Sequence, residues 1–266
     1  PHIHGKTDAA ASYGLAWAHS EDDFKTIQEV ILAVEGRLGE VWGKDGAILD
    51  FMAHILAVEE TVDTAYLNLN TETRAVLEAY VQGLNDYASS HPDELLRKDV
   101  FPIDAKTITE TYVLTMAFLT NVYVDIQKIF TGYITNYEGN IATGSNAYAF
   151  NSNKTKDGKA YLAVNSHQPL EGLFSWYEAH LSSDEGLNVM GGTFPGGALI
   201  FHGTNEYLGW AATLNHPDLC DVFKLTMHPK DKNKYLFDGE WYELEERKKK
   251  VKVKILGFLR IPIGKK

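Results

Sequence analysis

Cysteine, basic residues and long apolar runs are all scarce in this sequence. These scarcities argue in turn against an internal disulfide, a nucleic-acid partner and a membrane-spanning helix. The chain has one cysteine, Cys220, so no disulfide can form within it. Lysine and arginine number 25 against 36 aspartates and glutamates, and a net charge of -11 argues against a nucleic-acid partner, which would need a basic surface. No apolar run approaches the ~20 residues of a membrane-spanning helix, and no signal peptide is visible. We therefore expect a globular protein with neither a nucleic-acid nor a membrane partner.

The first half of the chain has the periodicity of amphipathic helices. Apolar residues recur at helical spacing over residues 8–35, with a break near residues 20–22, and Asp8 is placed to cap the first turn. The pair Asn70-Thr71 marks another helix start. Three further helices are predicted over residues 47–66, 74–87 and 107–130.

Beyond Gly132 the pattern changes to short segments rich in β-branched and aromatic residues, which is typical of antiparallel strands. Asp157-Gly158 and Asp238-Gly239 are hairpin turn signals. The lysine-rich segment 247–254 is expected to be a solvated strand edge. Strands are predicted over residues 147–150, 160–165, 175–181, 187–190, 199–202, 208–213, 222–226 and 251–255.

Four separated motifs occur in a fixed order along the chain. They are Tyr13–Asp22 (YGLAWAHSED), Glu78–Asn85 (EAYVQGLN), Gly144–Asn146 (GSN) followed by Asn165–His167 (NSH), and Trp210–Leu214 (WAATL). A lone Gly-Ser-Asn would carry no information. All four together resemble the penicillin acylase family of N-terminal nucleophile hydrolases, closest in pattern to its aculeacin, acyl-homoserine-lactone and cephalosporin acylase branch. The resemblance covers nearly the whole chain.

The resemblance implies an α+β fold, the αββα sandwich of N-terminal nucleophile hydrolases. A helical first chain, residues 1–144, would be followed by the antiparallel strands that open a second chain at residues 145–266. In the family the precursor cuts the bond that corresponds to Gly144–Ser145. Family members also start earlier, with an export signal, and continue much further. We therefore expect a fragment of a periplasmic or secreted enzyme that lacks the remainder of its own second chain.

Ser145 is the expected nucleophile. A serine hydroxyl needs a base, and the α-amine of a chain-terminal serine, with an unperturbed pKa of ~7.7–8.0, can be that base. The alternative is a serine that merely opens a strand after a glycine turn. The flanking motifs favour the nucleophile.

Two further residues complete the expected site. Asn165–His167 closes the hairpin that begins at Ser145, so His167 returns near the nucleophile. By resemblance His167 would orient Ser145 and its amine, although a turn histidine has the same position. The backbone N–H of Leu214 would be one oxyanion donor, with a contribution of ~2.7–4 kcal/mol. The second, an asparagine side chain, is expected beyond Lys266.

An acidic segment resembles one that holds a structural calcium ion in several family members. Asp218 and Asp221 would supply carboxylates, Cys220 its carbonyl oxygen, and Asp125 a further carboxylate, since calcium prefers oxygen ligands. A simple acidic turn is the competing interpretation. No cofactor is expected for catalysis.

The function implied is hydrolysis of a linear amide in a small N-acyl compound through an acyl-enzyme, after autocatalytic cleavage at Gly144–Ser145. Acyl-homoserine lactones, lipopeptides and β-lactam side chains are the candidate substrates. The alternative is a non-catalytic or unprocessed member that acts only as a binding or structural unit. One set of large apolar residues either lines an acyl pocket or belongs to the core: Phe174, Trp176, Leu187, Phe194 and Ile200.

Overall fold

The fold is known from a computed structural model, which describes residues 1–120, 122, 125–126, 129, 144–213, 221–255 and 259–265. Helices dominate the first part of the chain and strands the second, so the protein is α+β. The helices whose bounds the structure describes are α1 (Asp8–Val34), α2 (Gly39–Trp42), α3 (Lys44–Ile55), α4 (Val58–Ala65), α5 (Thr71–Ser90) and α6 (Ala105–Leu119). Short 3₁₀ turns cover Tyr66–Asn68, Pro92–Glu94 and Ser152–Lys154.

The N-cap of helix α1 lies one residue earlier than predicted. The Thr7 hydroxyl, 3.0 Å away, accepts the Ala10 N–H, so the prediction that Asp8 caps this helix was wrong. The predicted break near residues 20–22 is confirmed, because Asp23 has non-helical φ and ψ. The Asp23 carboxylate accepts the Thr26 N–H at 3.1 Å, and so caps the second half of α1.

The single helix predicted over residues 47–66 is two helices. Ala57 lies in the left-handed region, with φ of 51°, and separates α3 from α4. The third predicted helix is confirmed as α5, and the Asn70 side chain accepts the Thr73 N–H at 2.7 Å. Helix α6 ends at Leu119, where the Thr120 hydroxyl donates to the Met116 carbonyl at 3.0 Å. The predicted end of that helix, residue 130, lies outside the described residues.

The largest sheet has five strands in the order β1-β4-β5-β6-β7, with β1 parallel to β4 and the remaining pairs antiparallel. Strand β7 is shorter than predicted, and β6 overlaps the predicted strand over residues 199–202 only at His202. The strands of this sheet are β1 (His2–Gly5), β4 (Tyr177–Ser183), β5 (Asn188–Thr193), β6 (His202–Thr204) and β7 (Gly209–Trp210).

The other strands of the described residues form three smaller sheets. The pair β2 (Ser145–Phe150) and β3 (Tyr161–Ser166) forms one hairpin, and β11 (Lys249–Ile255) with β12 (Leu259–Lys265) another. A three-stranded sheet contains β8 (Thr226–Met227), β9 (Lys234–Phe237) and β10 (Glu240–Glu243). Strands β9 and β10 turn at Asp238-Gly239, as predicted, and both residues have positive φ.

Strand β11 is not a fully solvated edge, contrary to the prediction from its lysines. Val251 and Val253 are buried, and the strand contacts α2 and α3. The lysines alternate with these valines, so one face of β11 packs on the helices while the other meets solvent.

The core lies around α1. Leu15, Ile27 and Ile31 of this helix are fully buried, and α5 supplies Tyr80 and Leu84 to the same cluster. Ala179 and Leu181 of β4 join from the sheet side, so the core connects the helical part with the five-stranded sheet. Among the described helices, none is both long and apolar enough to cross a membrane.

Candidate active site

The hairpin that carries Ser145 is confirmed. Strand β2 pairs antiparallel with β3, and Gly158 adopts a φ of 71° in the turn between them. The register places Ser145 directly opposite Ser166. Because opposite residues of an antiparallel pair share a face, the two serine side chains lie on one side of the hairpin, together with Leu162 and Val164.

Ser145 is half-buried at the start of β2. Its hydroxyl donates a hydrogen bond to the Gly144 carbonyl at 2.7 Å, across the bond that was predicted to be cleaved. In the continuous chain the nitrogen of Ser145 is an amide and has no basic lone pair. A free α-amine, and with it the expected base, would exist only after the Gly144–Ser145 bond is hydrolysed.

The chain returns at His167 to the residues beside Ser145, as the hairpin prediction required. Its backbone N–H donates to the Gly144 carbonyl at 3.1 Å, and its Nε2 lies 3.0 Å from the side-chain nitrogen of Asn146. With the Asn146 amide as the donor, Nε2 is the acceptor and the ring proton lies on Nδ1. The hydrogen bonds of His167 thus go to the two residues that flank Ser145.

Asn146 was not predicted as a site residue. The sequence holds a signal for it, since Asn146 directly follows the serine in the Gly-Ser-Asn motif. Its partner is 21 residues away, however, and only the register of the hairpin brings the two side chains together.

A second histidine lies next to the hairpin. His202 begins β6, and its Nδ1 is 3.3 Å from the hydroxyl of Ser166. The imidazole stacks on Trp176 with a centroid distance of 4.7 Å. Burial lowers the pKa of His202, and the Ala212 backbone opposes this shift, so the ring is neutral near pH 7. Among the described residues its Nε2 has no hydrogen-bond partner of normal geometry.

A cavity of about 540 Å³ lies between the hairpin and the five-stranded sheet. It borders the face of β3 that also carries Ser166. Its polar side chains include those of Glu178 and His202. The large apolar residues that line it are Leu162, Val164, Trp176 and Met190.

Among the cavities formed by the described residues, the five residues considered for an acyl pocket border different ones or none. Trp176 borders the cavity beside the hairpin, whereas Phe174 borders a small one of about 80 Å³ near α1 and α6. Leu187 and Ile200 border a third, of about 510 Å³. Phe194 is buried and stacks on Trp176 at 4.3 Å.

Several predicted site residues lie outside the described part of the chain. Leu214, Asp218 and Cys220 are among them, so their roles stay predictions. Asp221 is exposed and Asp125 half-buried. Among the described residues there is no group of three or more histidine, cysteine, aspartate or glutamate side chains suited to a metal ion.

The fold and the hairpin define an α+β protein in which a strand begins at the serine of a Gly-Ser bond, with a histidine returning beside that bond. The model of the penicillin amidase family matches residues 1–256, and the chain belongs to this family. It is 23% identical over 298 aligned residues to an acyl-homoserine lactone acylase PvdQ of Pseudomonas fluorescens (strain Pf0-1), covering 100% of this chain and 38% of that protein.

Two more relatives have related names. An acyl-homoserine lactone acylase PvdQ of Pseudomonas savastanoi pv. phaseolicola is 25% identical, over 96% of this chain and 37% of the relative. Aculeacin-A acylase of Actinoplanes utahensis is 29% identical over 36% of this chain and 12% of the relative. The chain thus spans well under half the length of these acylases.

Proposed function

We propose that this chain is part of an N-terminal serine hydrolase that cleaves the linear amide bond of a small N-acyl compound. The observation that carries the proposal is the hairpin of a penicillin amidase family member. It brings His167 into contact with Gly144 and with Asn146, the two residues that flank Ser145. The acylase names of the relatives support an amide as the bond that is cleaved.

The reaction needs two stages. In the first, the Gly144–Ser145 bond is hydrolysed within the precursor and releases the α-amine of Ser145. In the second, this amine takes the proton of the serine hydroxyl while Oγ attacks the substrate carbonyl carbon. The tetrahedral oxyanion accepts the Leu214 N–H, and the protonated α-amine then passes its proton to the leaving amine. Water attacks the acyl-enzyme by the same route and releases the acid.

His167 acts in this scheme by holding the two residues that flank the nucleophile. Its backbone fixes the Gly144 carbonyl before cleavage, and its ring fixes the Asn146 side chain. A neutral ring that accepts from Asn146 has its Nδ1 proton available for another acceptor. A substituent at Cα of Gly144 would stand 3.7 Å from that Nδ1, so the ring lies close to the bond that is cut.

The rest of the proposal concerns the whole protein. The fold is the αββα sandwich, and the remainder of the second chain covers the hairpin and supplies the second oxyanion donor. Half-exposed Tyr148, Phe150 and Tyr161 on the far face of the hairpin support such a cover. Acyl-homoserine lactones, lipopeptides and β-lactam side chains remain the candidate substrates. The enzyme would be periplasmic or secreted, with calcium only in a structural role.

Intact mass and N-terminal sequencing of the full-length protein test the proposal. We expect two chains, one beginning Ser-Asn-Ala-Tyr, and amide hydrolysis by the mature protein. Ser145→Ala should stay a single chain and lose activity on the order of 10³-fold or more, because both stages need the hydroxyl. Ser152→Ala, an exposed serine in a 3₁₀ turn, is the matched control and should mature normally.

Either of two outcomes would contradict the proposal. A wild-type chain that stays intact on prolonged incubation would indicate an unprocessed member that acts as a binding or structural unit. Cleavage at Gly144–Ser145 that persists in Ser145→Ala would show that another group, or a contaminating protease, cuts the bond.

A further inference from the structure

The hairpin β2–β3 is a separate two-stranded sheet, and its attachment to the five-stranded sheet is slight. Among the described residues, one hydrogen bond joins the two sheets, from Ser166 at the end of β3 to His202 at the start of β6. The apolar side chain of Leu162 also lies against Gly209 of β7, where an added Cβ would come within 2.8 Å of it. An isolated two-stranded hairpin has little stability of its own, so these contacts matter for where it lies.

The hydrogen bond lies at the end of the hairpin where the chemistry would occur. Ser166 is the register partner of Ser145 and directly precedes His167. A displacement of Ser166 would therefore move the nucleophile and the histidine together, because the ladder couples the two strands. A misplacement of about 1 Å in a catalytic group can reduce a rate on the order of 10²-fold.

His202 itself is firmly held. Its ring stacks on Trp176 and lies 5.1 Å from the ring of Phe201, centroid to centroid. The next residue, Gly203, pairs with Trp210 of β7, the strand that leads along the sequence to Leu214. One imidazole thus connects the nucleophile end of the hairpin with the sheet that precedes the expected oxyanion donor.

We propose that His202 is a positioning residue, which fixes Ser145 relative to the five-stranded sheet through its hydrogen bond to Ser166. It does not touch the reacting atoms. This inference rests on the proposed function in so far as Ser145 is the nucleophile, but the tether can also be measured without activity.

The kinetic test uses the mature full-length protein. His202→Phe keeps a ring to stack on Trp176 and removes Nδ1, and Ser166→Ala removes the hydroxyl. Each should lower kcat on the order of tenfold while KM changes less than about twofold, and the double variant should be no slower than either single one. His202→Asn retains a polar atom close to the position of Nδ1 and should recover much of kcat.

His228→Phe is the matched control. His228 also contacts a tryptophan, Trp241, at 4.6 Å, but it lies beside the three-stranded sheet. We expect its kcat and KM to equal those of the unmodified protein. A raised KM with unchanged kcat in His202→Phe would overturn the proposal, because it would assign the ring to substrate binding in the adjoining cavity.

Hydrogen–deuterium exchange supplies a readout that needs no substrate. Amides of β2 and β3 should exchange several-fold faster in His202→Phe and Ser166→Ala, and at an unchanged rate in His228→Phe. Unchanged exchange in the first two variants would refute the tether. If the full-length protein proves inactive, or Ser145→Ala has no effect, the proposed function fails, and the exchange result still decides whether His202 holds the hairpin.

Discussion

The strongest single effect on stability is predicted for Glu40. Its carboxylate is 1% exposed and lies within 4.0 Å of cationic side chains from three parts of the chain. Arg37 and Arg97 approach it at 3.3 and 3.0 Å and are themselves largely buried. Lys252, at 3.5 Å, is 59% exposed and adds less. Removing one partner of a buried ion pair costs about 3–5 kcal/mol, because the remaining charges stay desolvated. Glu40→Gln should therefore lower the free energy of unfolding by about that amount.

The measurement is urea denaturation at pH 7, followed by the circular dichroism of the helices. Glu59→Gln is the matched control, since Glu59 pairs with Lys249 at 3.3 Å but is 61% exposed. The control should lose less than about 1 kcal/mol. A Glu40→Gln loss as small as that of the control, with an unchanged dependence on urea concentration, would refute the reasoning. It would mean that water or rearranged side chains solvate the arginines.

Two further predictions concern the helices. Asn70→Ala should cost about 1 kcal/mol by removing the cap of α5, which denaturant titration checks against Asn153→Ala; an equal loss in both variants would contradict the capping role. Burial and neighbouring carboxylates, first Glu59, raise the pKa of Glu110 to about 7. The folded state therefore loses stability as the pH rises from about 4.5 to 7, and Glu110→Gln should stabilise the protein by about 1 kcal/mol at pH 8 and by nothing at pH 4, after allowance for solvent screening. Equal stabilisation at both pH values would exclude this electrostatic cause.

Local chemistry predicted much of the helical part. The polar break near residue 20 and the Asn70 cap act within a few residues of themselves, so the sequence shows them directly. Ala57 is different, because alanine favours the right-handed helix and nothing local indicates a φ of 51°. On either side of the break, α3 contacts α2 and β11 whereas α4 contacts α6, which is a tertiary effect. The prediction of a solvated edge from the lysines of β11 was wrong for a similar reason, since the burial of Val251 and Val253 depends on α2 and α3.

The candidate site likewise has one part that local sequence predicted and another that depends on tertiary contacts. Asp157-Gly158 predicted the hairpin, and the hairpin register then returns His167 to Gly144. The contact between Ser166 and His202 joins residues that are 36 positions apart in sequence and lie on two different sheets. No turn signal or residue spacing predicts it. The apolar residues proposed for one acyl pocket separate onto different cavities for the same reason. Alternation along a strand shows which residues share a face but not what that face meets.

The two faces of the hairpin differ in what lies next to them. One face, with Leu162 and Val164, borders the cavity beside the five-stranded sheet and carries Ser145 and Ser166. The other face holds Tyr148, Phe150 and Tyr161, each about half exposed. A strand pair with apolar side chains on both faces is stable only when both faces are covered, because apolar surface left in water contributes no hydrophobic stabilisation. Leu162 and Val164 are themselves 37% and 41% exposed, so the five-stranded sheet covers the first face only in part, and both faces have apolar area for the proposed remainder of the second chain to cover.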